Sequence, residues 1–261
     1  MVYENLFQYT PIQHDLIAQS LTVTYTIMIA ALLYFAFTLK TTAPKYRTSG
    51  ILSIVVMTSA FIILFYQSQS WQNAFTFSPE IGKYVLDSGA DLFSNGYRYL
   101  NWLIDVPMLL FQILFVVNLT QKEFVTKRNW FFISGAAMIL LGYIGQFYEV
   151  TDPKMFINYG IISSIFFIHI LYLIYGIIKG AIKDLSKPAA KIMASIWILF
   201  LFSWTLYPIA YYMPILGYGE WGVVARQIIF SVADVLSKVI YGILLMRVGQ
   251  IRSKEDGYKY S

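Results

Sequence analysis

Seven apolar runs of about twenty residues follow one another along the chain, separated by charged or turn-forming residues. A hydrocarbon core about 30 Å thick needs about 20 apolar residues in a helix that rises 1.5 Å per residue. We therefore predict an all-α membrane protein, a single seven-helix bundle over residues 1–261 with no soluble second domain. The expected spans are residues 16–39, 50–70, 97–119, 130–148, 156–178, 192–213 and 223–246.

Composition and charge agree with this pattern. With 58% hydrophobic and 13% charged residues, the chain has too few polar side chains to cover a water-soluble domain. Basic residues concentrate at 40–47, 122–128, 179–191 and 247–259, whereas the opposite connections are mainly acidic. The positive-inside rule then places the N-terminus outside and the C-terminus in the cytoplasm, in a cell (inner) membrane. The net charge of +5 reflects this topology and does not suggest nucleic acid as a partner.

The second connection, about residues 71–96, is long for a loop between adjacent spans. The stretches "NAFTF" and "KYVLD" alternate around "SPEIG", so they could form an exposed β-hairpin at the outer mouth, or the alternation could be accidental. The absence of cysteine excludes disulfides and thiolate chemistry, and two histidines argue against a multi-histidine metal site.

Four ionisable residues fall inside predicted spans: Arg98, Asp105, Asp234 and Lys238. Because a charge facing lipid costs several kcal/mol, we expect all four to face the interior and to compensate one another. They could be ion pairs that only stabilise the bundle. However, Asp234 and Lys238 are four residues apart, and a second polar pair in the third span has the same spacing. Residues at this spacing share a helix face.

That second pair is Asn101 and Asp105, and Gln112 continues the same stripe. The stripe covers roughly 16 Å of the third helix at 1.5 Å per residue. This length of hydrogen-bonding groups favours an ion path over a helix-packing contact. A lysine buried in the last span can also form a Schiff base with an aldehyde, which needs a nearby counterion.

At these positions the chain closely resembles the microbial rhodopsins. "SVADVLSKVIYG" is similar to their seventh-helix retinal-attachment motif, and "RYLNWLIDVP" to their third-helix counterion motif. Proton-pumping members usually carry an acidic acceptor, a threonine and a carboxylic donor where this chain has Asn101, Asp105 and Gln112. The triplet resembles the NDQ group of light-driven sodium pumps, as do "GYIGQFYEV" and "SWTLYP". The resemblance covers essentially the whole chain and implies a transporter and not an enzyme.

The resemblance implies all-trans retinal bound covalently to Lys238 as a protonated Schiff base. Light converts the retinal to the 13-cis form, the proton moves to Asp105, and the positive barrier to a cation disappears. Asn101 and Asp234 then offer oxygen ligands to a transient sodium ion, a hard cation. Gln112 occupies the position of the usual cytoplasmic proton donor and cannot supply a proton, so no proton needs to cross the membrane.

The resemblance also assigns roles to further residues. Trp102, Trp204 and Tyr207 match the aromatic retinal pocket, although each could be an ordinary packing residue. Ser59 is expected to be a second-helix partner of Asp105.

The gates are predicted at the two ends of the path. Arg98 is the outer gate, and Glu149 with Arg226 is either the outer exit or an interfacial salt bridge. Two glutamines join that outer cluster, Gln67 and Gln146. Ser53 and Gln112 line the cytoplasmic entry or serve as hydrogen-bonded core residues, and His169 is interpreted as structural.

One departure from the sodium-pump pattern lies at the cytoplasmic mouth, where Gly50 and Met246 replace the usual Asn and Gly. This leaves the ion selectivity of the entry open. The alternatives are an outward proton pump, a sensory photoreceptor, a light-gated channel, or a colourless bundle in which Lys238 stays a free amine. Expected partners are membrane lipid, sodium and, by resemblance, four further copies in a pentamer.

Overall fold

A computed structural model describes residues 2–259 as a bundle of seven helical segments. The first six are α1 (Pro11–Thr38), α2 (Pro44–Ala74), α3 (Gly96–Leu114), α4 (Gln121–Tyr148), α5 (Pro153–Asp184) and α6 (Lys187–Tyr212). The seventh consists of α7 (Glu220–Asp234) and α8 (Tyr241–Glu255), joined by a π-helical segment, Val235–Ile240. Consecutive helices pack side by side, and the seventh closes the bundle against α1, α2 and α6.

The prediction of a multi-pass seven-helix membrane protein is confirmed. Within residues 2–259, six of the helices are long and apolar enough to cross a membrane. The remaining one, α3, is 19 residues long and carries the polar stripe that includes Arg98, Asn101 and Asp105. We call the end of the bundle that bears the N-terminus the outer end and the end that bears the C-terminus the cytoplasmic end, following the distribution of basic residues.

The predicted third span is wrong at its cytoplasmic limit, because α3 ends at Leu114 and not at residue 119. The apolar pattern continues past the helix because Val116 and Val117, in the turn after α3, also pack into the main hydrophobic core. Thr120 then begins α4 with a capping box, in which its backbone N–H donates to Glu123 at 2.9 Å. Most of the other helices extend beyond the predicted limits, since polar residues at the membrane surface continue the helices.

The second connection contains a two-stranded antiparallel sheet of β1 (Phe75–Ser78) and β2 (Lys83–Leu86). Gly82 makes the turn with a φ of 65°, in the left-handed region that glycine adopts without strain. Tyr9 and Tyr84 exchange two backbone hydrogen bonds of 2.9 and 2.7 Å, which attach the N-terminal segment to β2. The hairpin and the N-terminal segment therefore lie together at the outer end.

Lys238 lies in the π-helical segment of the seventh helix. A π-turn contains one residue more than an α-turn and is found most often at functional sites. Here the segment begins directly after Asp234, so the wider turn contains the stretch that separates Asp234 from Lys238.

Candidate functional site

The four ionisable residues of the predicted spans meet in the centre of the bundle. The Nζ atom of Lys238 lies 2.9 Å from Oδ2 of Asp105 and 3.1 Å from Oδ1 of Asp234. It also donates to Oδ1 of Asn101 at 2.8 Å. The side chains of these residues are all buried: Lys238, Asp105, Asp234 and Asn101. The stripe on α3 and the polar residues of the seventh helix therefore face one another around a single nitrogen.

Arg98 extends this cluster toward the outer end. Its Nη1 donates to Oδ2 of Asp234 at 2.8 Å, and its Nη2 donates to Ser231 at 3.2 Å. Together with Asp105 and Lys238, the charges alternate along a short line and sum to zero. Neutrality is what a low-dielectric interior requires, because an uncompensated buried charge is strongly destabilising.

The two carboxylates of this cluster differ in their hydrogen bonds. Asp234 also accepts from Nε1 of Trp102 at 3.2 Å and from the hydroxyl of Tyr207 at 2.8 Å. Asp105 accepts from Ser59 and pairs with Lys238. Because more donors stabilise the negative charge on Asp234, Asp105 is the better acceptor for a proton from the Lys238 nitrogen.

A second buried cluster lies toward the outer end. Arg226 pairs with Glu4, and its Nη1 lies 2.6 Å from Oε1 of Glu149. Gln227 donates to Glu4 at 2.6 Å and to Asn95 at 2.8 Å. The salt bridge between Glu149 and Arg226, one of the two alternatives expected there, is present, and Glu4 completes a buried triad with these two residues.

The two predicted glutamines join this outer cluster. Gln146 donates to Oε2 of Glu149 at 2.6 Å, and Gln67 donates to Asn95 at 3.3 Å. Glu149 follows the last residue of α4, and burial raises the pKa of its carboxyl above the ordinary value despite the nearby charge of Arg226. A desolvated carboxylate binds protons more readily, because burial disfavours the charged form.

At the cytoplasmic side, Ser53 of α2 donates to Oε1 of Gln112 of α3 at 3.3 Å, and both side chains are buried. In the described part of the chain, Nε2 of Gln112 has no hydrogen-bond partner. Gly50 lies against Met246, whose Cε atom would be 3.2 Å from a Cβ atom placed on the glycine. The two departures from the sodium-pump pattern are thus neighbours at the same mouth.

Two further points concern His169, which lies outside both clusters, and a possible metal site. His169 hydrogen-bonds to Ser134 at 2.8 Å between α5 and α4, and its structural interpretation stays a prediction. Over residues 2–259, no three histidine or carboxylate side chains form a metal-binding group. The proposed sodium ligands, Asn101 and Asp234, already accept hydrogen bonds from the protein in this arrangement.

Sequence reasoning missed four members of these clusters, Glu4, Asn95, Gln227 and Ser231. A signal existed for two of them, since Gln227, Ser231 and Asp234 follow one another at spacings of four and three on one helix face. No such signal exists for Glu4, which lies in a short 3₁₀ helix and meets Arg226 across 222 positions of sequence.

The model of one protein family, described as bacteriorhodopsin-like protein, matches residues 15–250. The chain belongs to this bacteriorhodopsin-like family. Among its members, archaerhodopsin-3 of Halorubrum sodomense is 27% identical over 168 residues, which are 64% of this chain and 63% of that protein. A green-light absorbing proteorhodopsin of Gamma-proteobacterium EBAC31A08 is 22% identical over 152 residues, or 58% of this chain and 60% of that one. The matches therefore span less than two thirds of these relatives.

Solved structures of the family cover more of the chain. Xanthorhodopsin, described as a light-driven ion pump with dual chromophore, has 30% identity and a TM-score of 0.86, with 97% of this chain and 99% of that chain covered. A thermophilic rhodopsin has 29% identity and a TM-score of 0.88, with 96% and 99% covered. The bundle seen here is therefore the family fold.

Proteins of this family bind retinal, typically as a Schiff base to a lysine, so we tested whether the cavity beside Lys238 fits it. Residues of α3, α4, α5, α6 and the seventh helix line this cavity, and most of their side chains are apolar. Trp102, Trp204 and Tyr207 form part of its wall, and Lys238 with Asp105 lies on its lining. The indole N–H of Trp204 is buried without a partner within residues 2–259. An elongated apolar molecule attached to this lysine fits these walls.

Proposed function

We propose that this protein is a light-driven outward sodium pump with all-trans retinal bound to Lys238. The observation that carries the proposal is the set of contacts at the Lys238 nitrogen. A neutral amide, Asn101, lies at 2.8 Å and the proton acceptor Asp105 at 2.9 Å, one helix turn apart on α3. Gln112, an amide that cannot supply a proton, lies further along α3 on the cytoplasmic side.

In the resting state, positive charge at Lys238 closes the path. Lys238 would hold retinal covalently, and the bound group would supply the light-driven isomerisation and a fixed positive charge at the Lys238 nitrogen. Two like charges a few ångströms apart in a weakly screened interior repel strongly, so a sodium ion cannot pass this nitrogen. Asp105 and Asp234 compensate the charge and keep the closed state stable.

A proton that moves 2.9 Å from the Lys238 nitrogen to Oδ2 of Asp105 neutralises both groups. The barrier is then absent, and Asp234 is left as the anion nearest to the path. Oδ1 of Asn101 loses its charged donor and becomes available as an oxygen ligand. Carboxylate and amide oxygens are suitable ligands for a hard cation such as sodium.

The direction of transport follows from the residues at the two ends of the proposed ion path. Ser53 and Gln112 line the cytoplasmic entry, and neither can reprotonate the Lys238 nitrogen at neutral pH. The proton therefore returns from Asp105 and restores the barrier behind the ion. On the outer side, the ion leaves past Arg98 and the cluster of Glu149, Arg226, Gln67 and Gln146.

An outward proton pump is the second candidate. Xanthorhodopsin, 30% identical to this chain, is described as a light-driven ion pump, and that description does not specify sodium. The direct contact between the Lys238 nitrogen and Asp105 would also serve the first step of proton transport. What separates the two candidates is whether the proton on Asp105 returns to Lys238 or leaves to the outside.

The deciding experiment is the light-induced pH change of cells that express the protein with retinal, in sodium chloride and in potassium chloride, with and without a protonophore. Alkalinisation that grows with the protonophore in sodium and is absent in potassium is the result expected of a sodium pump. Acidification in both salts that the protonophore abolishes would establish a proton pump instead.

We further propose that the protein works as a homo-oligomer in the lipid bilayer, with a pentamer as the expected state. Mass measurement of the detergent-free complex tests this assignment. A monomer at all protein concentrations would contradict it.

A further inference from the structure

Near the C-terminal end of the seventh helix, Arg252 contacts the turn that follows α3. Its Nη1 donates to the backbone carbonyl of Val116 at 2.8 Å, and its Nη2 donates to Oδ1 of Asn118 at 2.5 Å. Helix α3 ends at Leu114, so the carbonyl of Val116 lies in the turn beyond the helix. A cation near the C-terminal end of a helix also interacts favourably with the helix dipole. Arg252 therefore holds the turn at the end of α3.

The same guanidinium group also packs against the beginning of α2. Its central carbon lies 4.7 Å from the centroid of the Tyr46 ring, within the range of a cation–π interaction. Tyr46 is buried, and its hydroxyl donates to Asp256 at 2.8 Å. Lys45 forms an ion pair with the same carboxylate at 2.8 Å. The end of the seventh helix thus fixes the cytoplasmic ends of both α2 and α3.

Those two helices carry the pair at the proposed entry, Ser53 and Gln112. The O–H···O contact that joins them is 3.3 Å long, beyond the usual range of about 2.5–3.0 Å, so a small shift of α3 against α2 breaks it. The seventh helix forms a third wall, because a Cβ atom on Gly242 would lie 3.0 Å from Oγ of Ser53. The three helices that Arg252 connects are the three that surround this pair.

We propose that Arg252 is a positioning residue for cation uptake. By holding the ends of α2 and α3 against the seventh helix, it keeps the oxygen atoms of Ser53 and Gln112 close enough to receive one partly dehydrated cation together. This inference rests on the proposed sodium transport. Arg252 touches neither the Lys238 cluster nor the cavity beside it, so it acts through the position of Ser53 and Gln112 alone.

The test compares flash-induced recovery of the visible absorption in wild type, Arg252→Ala and Arg247→Ala over a series of sodium concentrations. In Arg252→Ala we expect the sodium concentration that gives half-maximal recovery rate to rise at least about threefold, because two charge-assisted hydrogen bonds are lost. The visible maximum and the rate of the first proton transfer stay unchanged. Arg247 is the matched control, since it is exposed on the same helix and donates to Gln250 at 3.0 Å.

Two further variants make the test decisive. Arg252→Lys keeps the charge without the two parallel donors, so its shift should be intermediate. If Arg252→Ala does not fold, Asn118→Ala removes one of the two acceptors in an exposed turn and should change the sodium dependence in the same direction.

Each outcome has a definite meaning. Equal sodium dependence in Arg252→Ala, Arg247→Ala and wild type would overturn the inference, and so would a shifted visible maximum in Arg252→Ala. A wild-type recovery rate that is independent of sodium would instead contradict the proposed function. The inference would then be decided at fixed salt, where a slower recovery in Arg252→Ala than in Arg247→Ala supports the positioning role and equal rates refute it.

Discussion

The two buried ionic clusters of this bundle differ in their balance of charge. Around Lys238 there are two cations and two anions, in alternating order and with no net charge. Around Arg226 a single cation meets two carboxylates, Glu4 and Glu149. The inner cluster can lose a pair of charges by one proton transfer and remain neutral. The outer cluster has one more negative than positive charge, so in the proposed mechanism it would attract a cation released from the inner cluster.

The largest effect expected from this comparison comes from Lys238→Ala, which removes the nitrogen at the centre of the inner cluster. Without an amine for the covalent bond, the purified protein should show no visible absorption band after incubation with retinal. Absorption spectroscopy gives the answer directly. An ordinary visible band in this variant would mean that the attachment site lies elsewhere, and Lys179→Ala, an exposed lysine, is the matched control.

The next effect is expected from Asp105→Asn, which keeps the size of the side chain and removes the proton acceptor. Asp234 still lies 3.1 Å from the Lys238 nitrogen, so the protein should stay coloured. Light-driven sodium transport in cells should be lost because the barrier charge has no acceptor. Sustained sodium transport would show that the neutralisation mechanism is wrong; Asp87→Asn in the outer connection serves as a control.

A smaller effect, on stability and not on colour, is expected from Arg226→Gln in the outer cluster. This substitution leaves the carboxylates of Glu4 and Glu149 buried without their cation, at a cost of about 3–5 kcal/mol. Thermal unfolding monitored by loss of the visible band should occur at a clearly lower temperature. Arg247→Gln on the exposed face of α8 should unfold like wild type, and equal unfolding temperatures for both variants would contradict the buried triad.

The smallest expected effect is a pH dependence of folding stability that is caused by Glu149. Because burial raises the pKa of this carboxyl above 4.5 in the folded protein, its protonated form is favoured by folding. The resulting stabilisation is complete below pH 4.5 and is lost as the pH rises through the raised pKa. Relative to wild type, Glu149→Gln should therefore become more stable as the pH increases above 4.5. Unfolding temperatures at a series of pH values measure this difference, and a constant difference would refute it.

The inner cluster was predictable because its partners repeat at helical spacing. The pairs Asn101–Asp105 and Asp234–Lys238 identify the faces of two helices, and the need to neutralise buried charges brings those faces together. The seven helices follow from the length of the apolar runs for a similar reason.

Other features depend on contacts that no local pattern reveals. The end of α3 at Leu114 has no signal in the sequence, because Val116 and Val117 in the following turn are as apolar and as buried as helix residues. Glu4 reads as an ordinary polar residue near the N-terminus, and only the folded chain brings it to Arg226. Arg252 likewise reads as one of several basic residues that mark the cytoplasmic side.

The π-helical segment of the seventh helix holds one residue more than an α-turn would, and it holds that residue locally. Deleting one residue between Val235 and Ile240 would therefore convert the wide turn to an α-turn, with Gly242 still beside Ser53 and Arg252 still beside Val116. The change would be confined to the turn itself, where Lys238 would leave its position between Asp105 and Asp234. In the α-helical parts each residue turns the chain by about 100°, so the same deletion there would rotate one end of the helix away from its partners.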